Sequence, residues 1–221
     1  FLTRHGIEVT LARHEECCGA LVHHMGREEA ALAAARANID AWLGEADAGL
    51  DAILITASGC GTHVKDYGFM LRNDAFYAEK AARVSALARD ISEYLCTLDL
   101  PARTHHEPLR VAYHSACSMQ HGQKILRQPK DLLSKFGFVV NDIPEAHLCC
   151  GSAGTYNILQ PDIAVRLRDR KVANIASVEP DVIATGNIGC LVQISGGTTI
   201  PVVHTIELLD WATGGHRPEY V

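Results

Sequence analysis

Asp181-Val-Ile-Ala-Thr-Gly-Asn-Ile-Gly-Cys190 and, 130 positions earlier, Asp51-Ala-Ile-Leu-Ile-Thr-Ala-Ser-Gly-Cys60 are two versions of one unit. In each, an acidic residue opens a short apolar run and a Gly-Cys pair closes it. A run of this length and composition fits a strand buried on both faces of a parallel sheet. A thiol just past its C-terminal end lies where open α/β sheets bind ligands. A second thiol signal precedes each copy at nearly the same interval. Cys17-Cys18-Gly19 ends its thiol pair 42 positions before Cys60, and Cys149-Cys150-Gly151 ends its pair 40 positions before Cys190. A unit repeated once within 221 residues predicts two similar halves.

Working outward from these strands, Ile7–Leu11 reads as the end of a strand. Residues 27–45 read as a helix with Ala31, Leu32, Ala35, Ile39, Trp42 and Leu43 on one face. Residues 52–57 form the first repeat's strand and 58–62 its loop. Residues 75–95 read as a second long amphipathic helix, with Val84, Leu87, Ala88, Ile91 and Leu95 on one face. Residues 97–108, polar and bounded by Pro101 and Pro108, read as a linker. The second half opens with a strand at 109–113 that runs into His114-Ser-Ala-Cys117. Helices at 121–136 and 163–177 and strands at 138–141, 182–185 and 202–203 follow. A last helix, 206–212, is capped by Thr205 and stopped by Gly214-Gly215. The expected class is α/β: two Rossmann-like three-layer halves with mostly parallel sheets, related by pseudo-two-fold symmetry. The first cysteine-rich domain takes residues 1–104 and is N-terminally incomplete; the second takes 105–221.

Composition narrows the function. A formal net charge of −6 argues against nucleic acid and anionic membrane as partners. No apolar run approaches the roughly 18 residues needed to span a bilayer, and no signal-peptide pattern is present. Eight cysteines in such a chain point to a reducing compartment and to metal or redox chemistry rather than a disulfide framework. The expected location is the cytoplasm, with peripheral attachment at the inner face of the cell membrane as an option. Adjacent thiols suit metal ligation, because neighbouring thiolates reach neighbouring metal ions.

The candidate ligands are therefore Cys117, Cys149, Cys150 and Cys190 in the second half, and Cys17, Cys18 and Cys60 in the first, where His63 is a possible fourth donor. Cys117, Cys149, Cys150 and Cys190 are expected to converge at one crevice. His114, three positions before Cys117, is the best candidate for a group that supports the ligands from behind. Cys96, alone at the end of a helix, reads as packing. Glycines flanking the thiols let backbone N–H groups approach sulfur, and helix N-termini beyond the strands favour an anionic centre.

Cys117, then Cys149-Cys150-Gly151 after 32 positions, then Gly189-Cys190, resembles the cysteine-rich "CCG" domain. That domain occurs in tandem in the B subunit of heterodisulfide reductase and in iron–sulfur subunits of several flavin dehydrogenases. Ser58-Gly-Cys-Gly-Thr-His-Val-Lys-Asp-Tyr67, Tyr113-His-Ser-Ala-Cys-Ser-Met-Gln-His-Gly122 and Val203-His-Thr-Ile-Glu-Leu-Leu-Asp-Trp211 are similar to the iron–sulfur subunits of bacterial glycolate oxidases. The fuller family motif ends in Cys-x-x-Cys; here that last position is His63 in one half and Gln193 in the other.

The resemblance implies an electron-transfer subunit of a glycolate or other 2-hydroxy-acid oxidase. An FAD-containing dehydrogenase subunit takes the hydride, and electrons leave through iron–sulfur centres toward a quinone or another acceptor. No residue of this chain need touch the 2-hydroxy acid. The implied cofactor is an iron–sulfur cluster, 4Fe–4S with four thiolates, with zinc as an alternative in one half. Alternatives are an iron–sulfur subunit of lactate utilisation or of glycerol-3-phosphate dehydrogenase, and a non-redox interaction module stabilised by zinc. In the family an N-terminal ferredoxin-like module precedes the tandem domains. The first half's counterpart of Cys117 falls about 15 positions before Phe1, so the natural polypeptide is expected to extend upstream and to carry a cysteine there.

Overall fold

A computed structural model of the chain describes residues 1–46, 49–100, 108–219 and 221. They form two compact units, Leu2–Tyr94 and Leu95–Val221, the latter joined by Phe1. The expected boundary at 104/105 and most of the expected linker lie outside the described residues.

In the first unit the order is α1 (Ala20–His24), α2 (Glu28–Ala46), β1 (Ile53–Ile55), α3 (Ser58–Met70), α4 (Ala78–Leu87), β2 (Ala88–Asp90) and α5 (Ile91–Leu95). α2 buries the expected face: Ala31, Ala35 and Ile39 are inaccessible to solvent, and Leu32, Trp42 and Leu43 pack partly buried beside them. β1 and β2 pair in parallel, Ile53 opposite Ala88 and Ile55 opposite Asp90. Two expectations fail here. Residues 7–11 form no strand. The helix expected over 75–95 is cut by β2, because the buried Asp90 caps a new helix. Its Oδ1 accepts from the Ser92 amide at 2.9 Å, and its own amide donates to Glu93 Oε2 at 2.9 Å. Asp90-Ile-Ser-Glu93 is thus a capping box, which ends one element and starts the next.

The second unit contains β3 (Arg110–His114), a π-helical turn (Ser118–Gln123), α6 (Gln128–Lys135), β4 (Val139–Asn141), α7 (Tyr156–Leu159) and α8 (Pro161–Ala176). β5 (Val182–Thr185), α9 (Ile188–Ser195), β6 (Val202–His204) and α10 (Thr205–Ala212) complete it. Its four strands are all parallel in the order β4-β3-β5-β6. β5 is wholly buried, as its apolar run requires. Asp181 sets the register: its carboxylate accepts from the Arg110 amide at 2.8 Å and from the Arg110 guanidinium at 2.9 Å. The last helix is capped not by Thr205 but by His204, whose Nδ1 accepts from the Ile206 amide while Glu207 accepts from the His204 amide at 2.7 Å. That is the same device as Asp90 and Glu93. The helix expected over 121–136 is replaced by the π-helical turn and α6, with Lys124 in the left-handed region (φ 61°) between them.

The repeat is visible element by element. A Cys-Cys-Gly loop leads to a short helix (α1, α7), a long helix (α2, α8), a strand (β1, β5) and a helix carrying the later cysteine as its third residue (α3, α9). Gly19 and Gly151 both have positive φ, 87° and 95°. A Cβ on Gly19 would lie 3.2 Å from the Ala31 carbonyl oxygen; on Gly151, 2.3 Å from that of Ala164. Ala31 and Ala164 are each the fourth residue of their long helix. Among the described residues no helix is long and apolar enough to cross a membrane.

Candidate metal centre

In the second unit the thiols come from three places at the C-terminal end of the sheet. Cys117 caps the π-helical turn just beyond β3, Cys149 and Cys150 lie in the loop after β4, and Cys190 sits in the first turn of α9. The loop expected at 186–190 is therefore helix from Ile188 on, and the one expected at 58–62 is helix throughout. Cys60 and Cys190 lie inside first turns, where free amides and the helix dipole favour a thiolate. Cys150 and Cys190 are buried; Cys117 and Cys149 are half-buried.

The sulfurs form a row linked by S–H···S contacts. Cys149 interacts with both Cys117 and Cys150, and Cys150 also interacts with Cys190. The pattern polarises the row. Contact with Cys117 and Cys150 holds Cys149 far below the ordinary thiol range, while Cys117 and Cys150 are pushed up by their thiolate neighbours and by burial. Cys190 falls to about 5, chiefly through Cys150 and then His114 and Asn187. The Gly151 amide donates to Cys149 Sγ at 3.3 Å, and Asn187 Nδ2 donates to Cys190 Sγ at 3.4 Å. The tightest group is not the expected tetrad. Donor atoms of His114, Cys150 and Cys190 all lie within 4.8 Å of one another, and all three residues are buried. His114, expected behind the ligands, stands among them.

Beneath the row is a residue that the sequence reading missed. Lys171, on α8, is 0% exposed. Its ammonium donates to the Glu145 carbonyl at 2.8 Å and interacts with the charges of Cys117, Cys150 and Cys149. Burial lowers its pKa. Glu145 itself is held in the left-handed region (φ 52°) by Arg170 and by Asn174 Nδ2, which donates to its carboxylate at 2.8 Å. α8 thus grips the start of the Cys149-Cys150 loop with three side chains. Gln193, at the place where the fuller motif has a cysteine, is engaged elsewhere. Its Oε1 accepts from Asn157 at 3.2 Å, and its Nε2 donates to the Ala164 carbonyl at 3.4 Å.

The first unit brings Cys17, Cys18 and Cys60 together in the same way. Cys18 contacts both other thiols; it is pushed up by Cys60 and burial, while Cys60 falls to about 7 through Cys18. Asn38 and Tyr67, both fully buried, hold the Cys-Cys loop by its carbonyls. Asn38 Nδ2 donates to Cys17 O at 3.2 Å, and Tyr67 Oη donates to Cys18 O at 2.7 Å. His63 is buried on α3, its ring 5.1 Å from that of His23 and 5.6 Å from Tyr67. Its Nε2 has no hydrogen-bond partner. Burial and the nearby His23 and His24 lower its pKa to about 4. Cys96 is exposed rather than packed, with Sγ 3.8 Å from Gln128 O.

Two Cys-Cys-Gly loops, each seated on a long helix and facing a thiol in the first turn of the next helix, define a tandem cysteine-rich α/β protein. The chain belongs to the CCG cysteine-rich domain family, whose profile matches residues 1–65 and 111–195. It is 45% identical over 211 residues to the glycolate oxidase iron-sulfur subunit of Escherichia coli (strain K12), covering 96% of this chain and 52% of that one. It is 31% identical to the probable glycolate oxidase iron-sulfur subunit of Bacillus subtilis (strain 168), covering 95% and 49%. Lactate utilization protein A of Geobacillus thermodenitrificans (strain NG80-2) is 29% identical, over 95% of this chain and 88% of its own length. The chain spans about half the length of the two glycolate oxidase relatives.

Proposed function

We propose that this chain is part of the iron–sulfur subunit of a glycolate or related 2-hydroxy-acid oxidase, and that its second half holds an iron–sulfur cluster on Cys117, Cys149, Cys150 and Cys190. The thiol row supports this most directly. Four sulfurs converge from three places in the chain, two already acidified, with a buried lysine beside them. Such a set suits a group that demands deprotonated sulfur and carries net negative charge. When bound, a 4Fe–4S cluster supplies one-electron transfer.

The chain's own residues do the rest. Cys150 and Cys190, buried, keep water from the inner side of the site. The Gly151 amide and Asn187 donate to sulfur and stabilise the thiolate form, and Lys171 offsets charge. No residue here is assigned to the 2-hydroxy acid. That chemistry belongs to an FAD-containing partner subunit, with electrons passing on toward a quinone at the inner face of the cell membrane.

For the first half we extend the proposal to Cys17, Cys18 and Cys60 with His63. A three-sulfur, one-nitrogen set suits zinc as well as iron. The test is metal and sulfide analysis of anaerobically prepared full-length protein, with EPR before and after dithionite. Iron, labile sulfide and a signal on reduction support the reading; zinc without sulfide in both halves would sink it.

A further inference from the structure

We infer that His114 is a direct nitrogen ligand of the second half's metal centre, a role that rests on the reading of that half as a thiolate cluster site. A ring nitrogen of His114 lies with the sulfurs of Cys150 and Cys190 in a group whose atoms are all within 4.8 Å of one another; among the described residues no other three His, Cys, Asp or Glu side chains meet so closely. The ring is 1% exposed, and its Nε2 has no hydrogen-bond partner. A buried nitrogen left in that state is destabilising unless something else satisfies it. A metal-ligating histidine offers one ring nitrogen to the metal and uses only the other for a hydrogen bond, so an unpartnered buried nitrogen is what a ligand position requires. His114 is at the front of the site, at the last position of β3 opposite Thr185 of β5.

The donor count points the same way. Gln193 offers nothing to the site, because both ends of its amide are engaged with Asn157 and Ala164. His114 extends the row to five donors at the Cys190 end, while Cys117 closes the other end. A centre held by sulfur and one imidazole differs from an all-thiolate one in a definite direction. Replacing thiolate by neutral imidazole removes negative charge and raises the reduction potential.

The experiment uses the full-length protein in its complex, carrying His63→Gln so that the first half supplies no imidazole from that position, grown with isotopically labelled or unlabelled histidine, loaded anaerobically with iron and sulfide and reduced with dithionite. Pulsed EPR should show the nitrogen coupling of a coordinated imidazole that changes with the label. His114→Gln should abolish that coupling, and His114→Cys should replace it with a centre of more negative midpoint potential. A second arm loads the emptied protein with cobalt alone and reads its X-ray absorption, where a mixed nitrogen and sulfur shell is expected. A cluster with no histidine coupling, or an all-sulfur cobalt shell, overturns the assignment of His114 while leaving the cluster reading intact. Failure of the second half to take up either metal overturns both.

Discussion

The two halves place the same elements around their thiols, yet they differ in what surrounds them. In the second, four thiols meet a buried lysine and the imidazole of His114 beside a four-stranded parallel sheet. In the first, three thiols share a unit with a two-stranded sheet and a ring cluster of His23, His24 and His63, and the loop is held by Asn38 and Tyr67 rather than by cations. The comparison teaches that the thiol frame comes with the repeated helix-and-strand unit, while the charge of its surroundings is set separately. Lysine on one side favours an anionic centre. Neutral, buried histidine on the other favours a less charged one.

The sharpest way to break this comparison is to remove one buried thiol from each half. Cys150→Ser should abolish cluster binding in the second half, and Cys18→Ser should leave that cluster in place. Iron and sulfide per chain after anaerobic desalting are the readout, and equal losses of both in the two variants would end the distinction.

Next in size is the glycine lock. Gly151→Ala drives a Cβ to 2.3 Å from a backbone oxygen at φ 95° and should destabilise the second unit by about 3 kcal/mol or more. Gly19→Ala, with its nearest contact at 3.2 Å, should cost about 1–2 kcal/mol. Urea unfolding of the two variants measures the difference, and equal losses would contradict the geometry.

Lys171→Met should weaken metal retention in the second half roughly tenfold and move its potential to more negative values, as removal of a supporting charge does. Redox titration of the variant checks the sign, and an unchanged potential would mean that the lysine only packs.

The smallest effect is a pH dependence of the metal-free first half. His63 has a folded pKa of about 4 against an ordinary value of 6.5, so the unfolded chain binds more protons between these values. Stability is then full above pH 6.5 and falls as pH drops toward 4, by on the order of 1–3 kcal/mol. Thermal melts of wild type and His63→Gln over that range should diverge; parallel curves would remove His63 as the cause.

Much of this was legible beforehand, because repetition survives where propensity is ambiguous. The apolar run 182–185 reads as a buried strand and is one; the run 52–57 reads the same way, but its strand covers only 53–55 and buries only Ile53 fully, and α2 shows its face through Ala31, Ala35 and Ile39. What escaped notice depended on single residues. Asp90 and Glu93 carry a capping signal inside a stretch that is otherwise helical in period, so β2 was absorbed into a helix. Residues 58–62 and 188–190 are glycine-rich and read as loops, although the helices start ahead of their cysteines. Lys171 sits in a charged stretch, Arg166 to Lys171, where a lysine ordinarily faces solvent. Nothing local marks it as buried, because what buries it is the Glu145 carbonyl 26 positions away. His114 stands out in the sequence for its place at a strand end, but its distance to Cys190 depends on the pairing of β3 with β5.

That pairing also sets an order of events in the life of the chain. Cys117 and Cys190 are 73 positions apart in sequence and meet only because β5 docks in parallel against β3. A parallel pairing of that span is a slow, late contact in folding. As the chain leaves the ribosome, Cys117, Cys149 and Cys150 emerge well before β5 exists to carry Cys190 into place. If the proposed centre is bound, its four thiols come together only on a chain whose second sheet is already built, so delivery of that centre would be an act of maturation rather than a seed for folding.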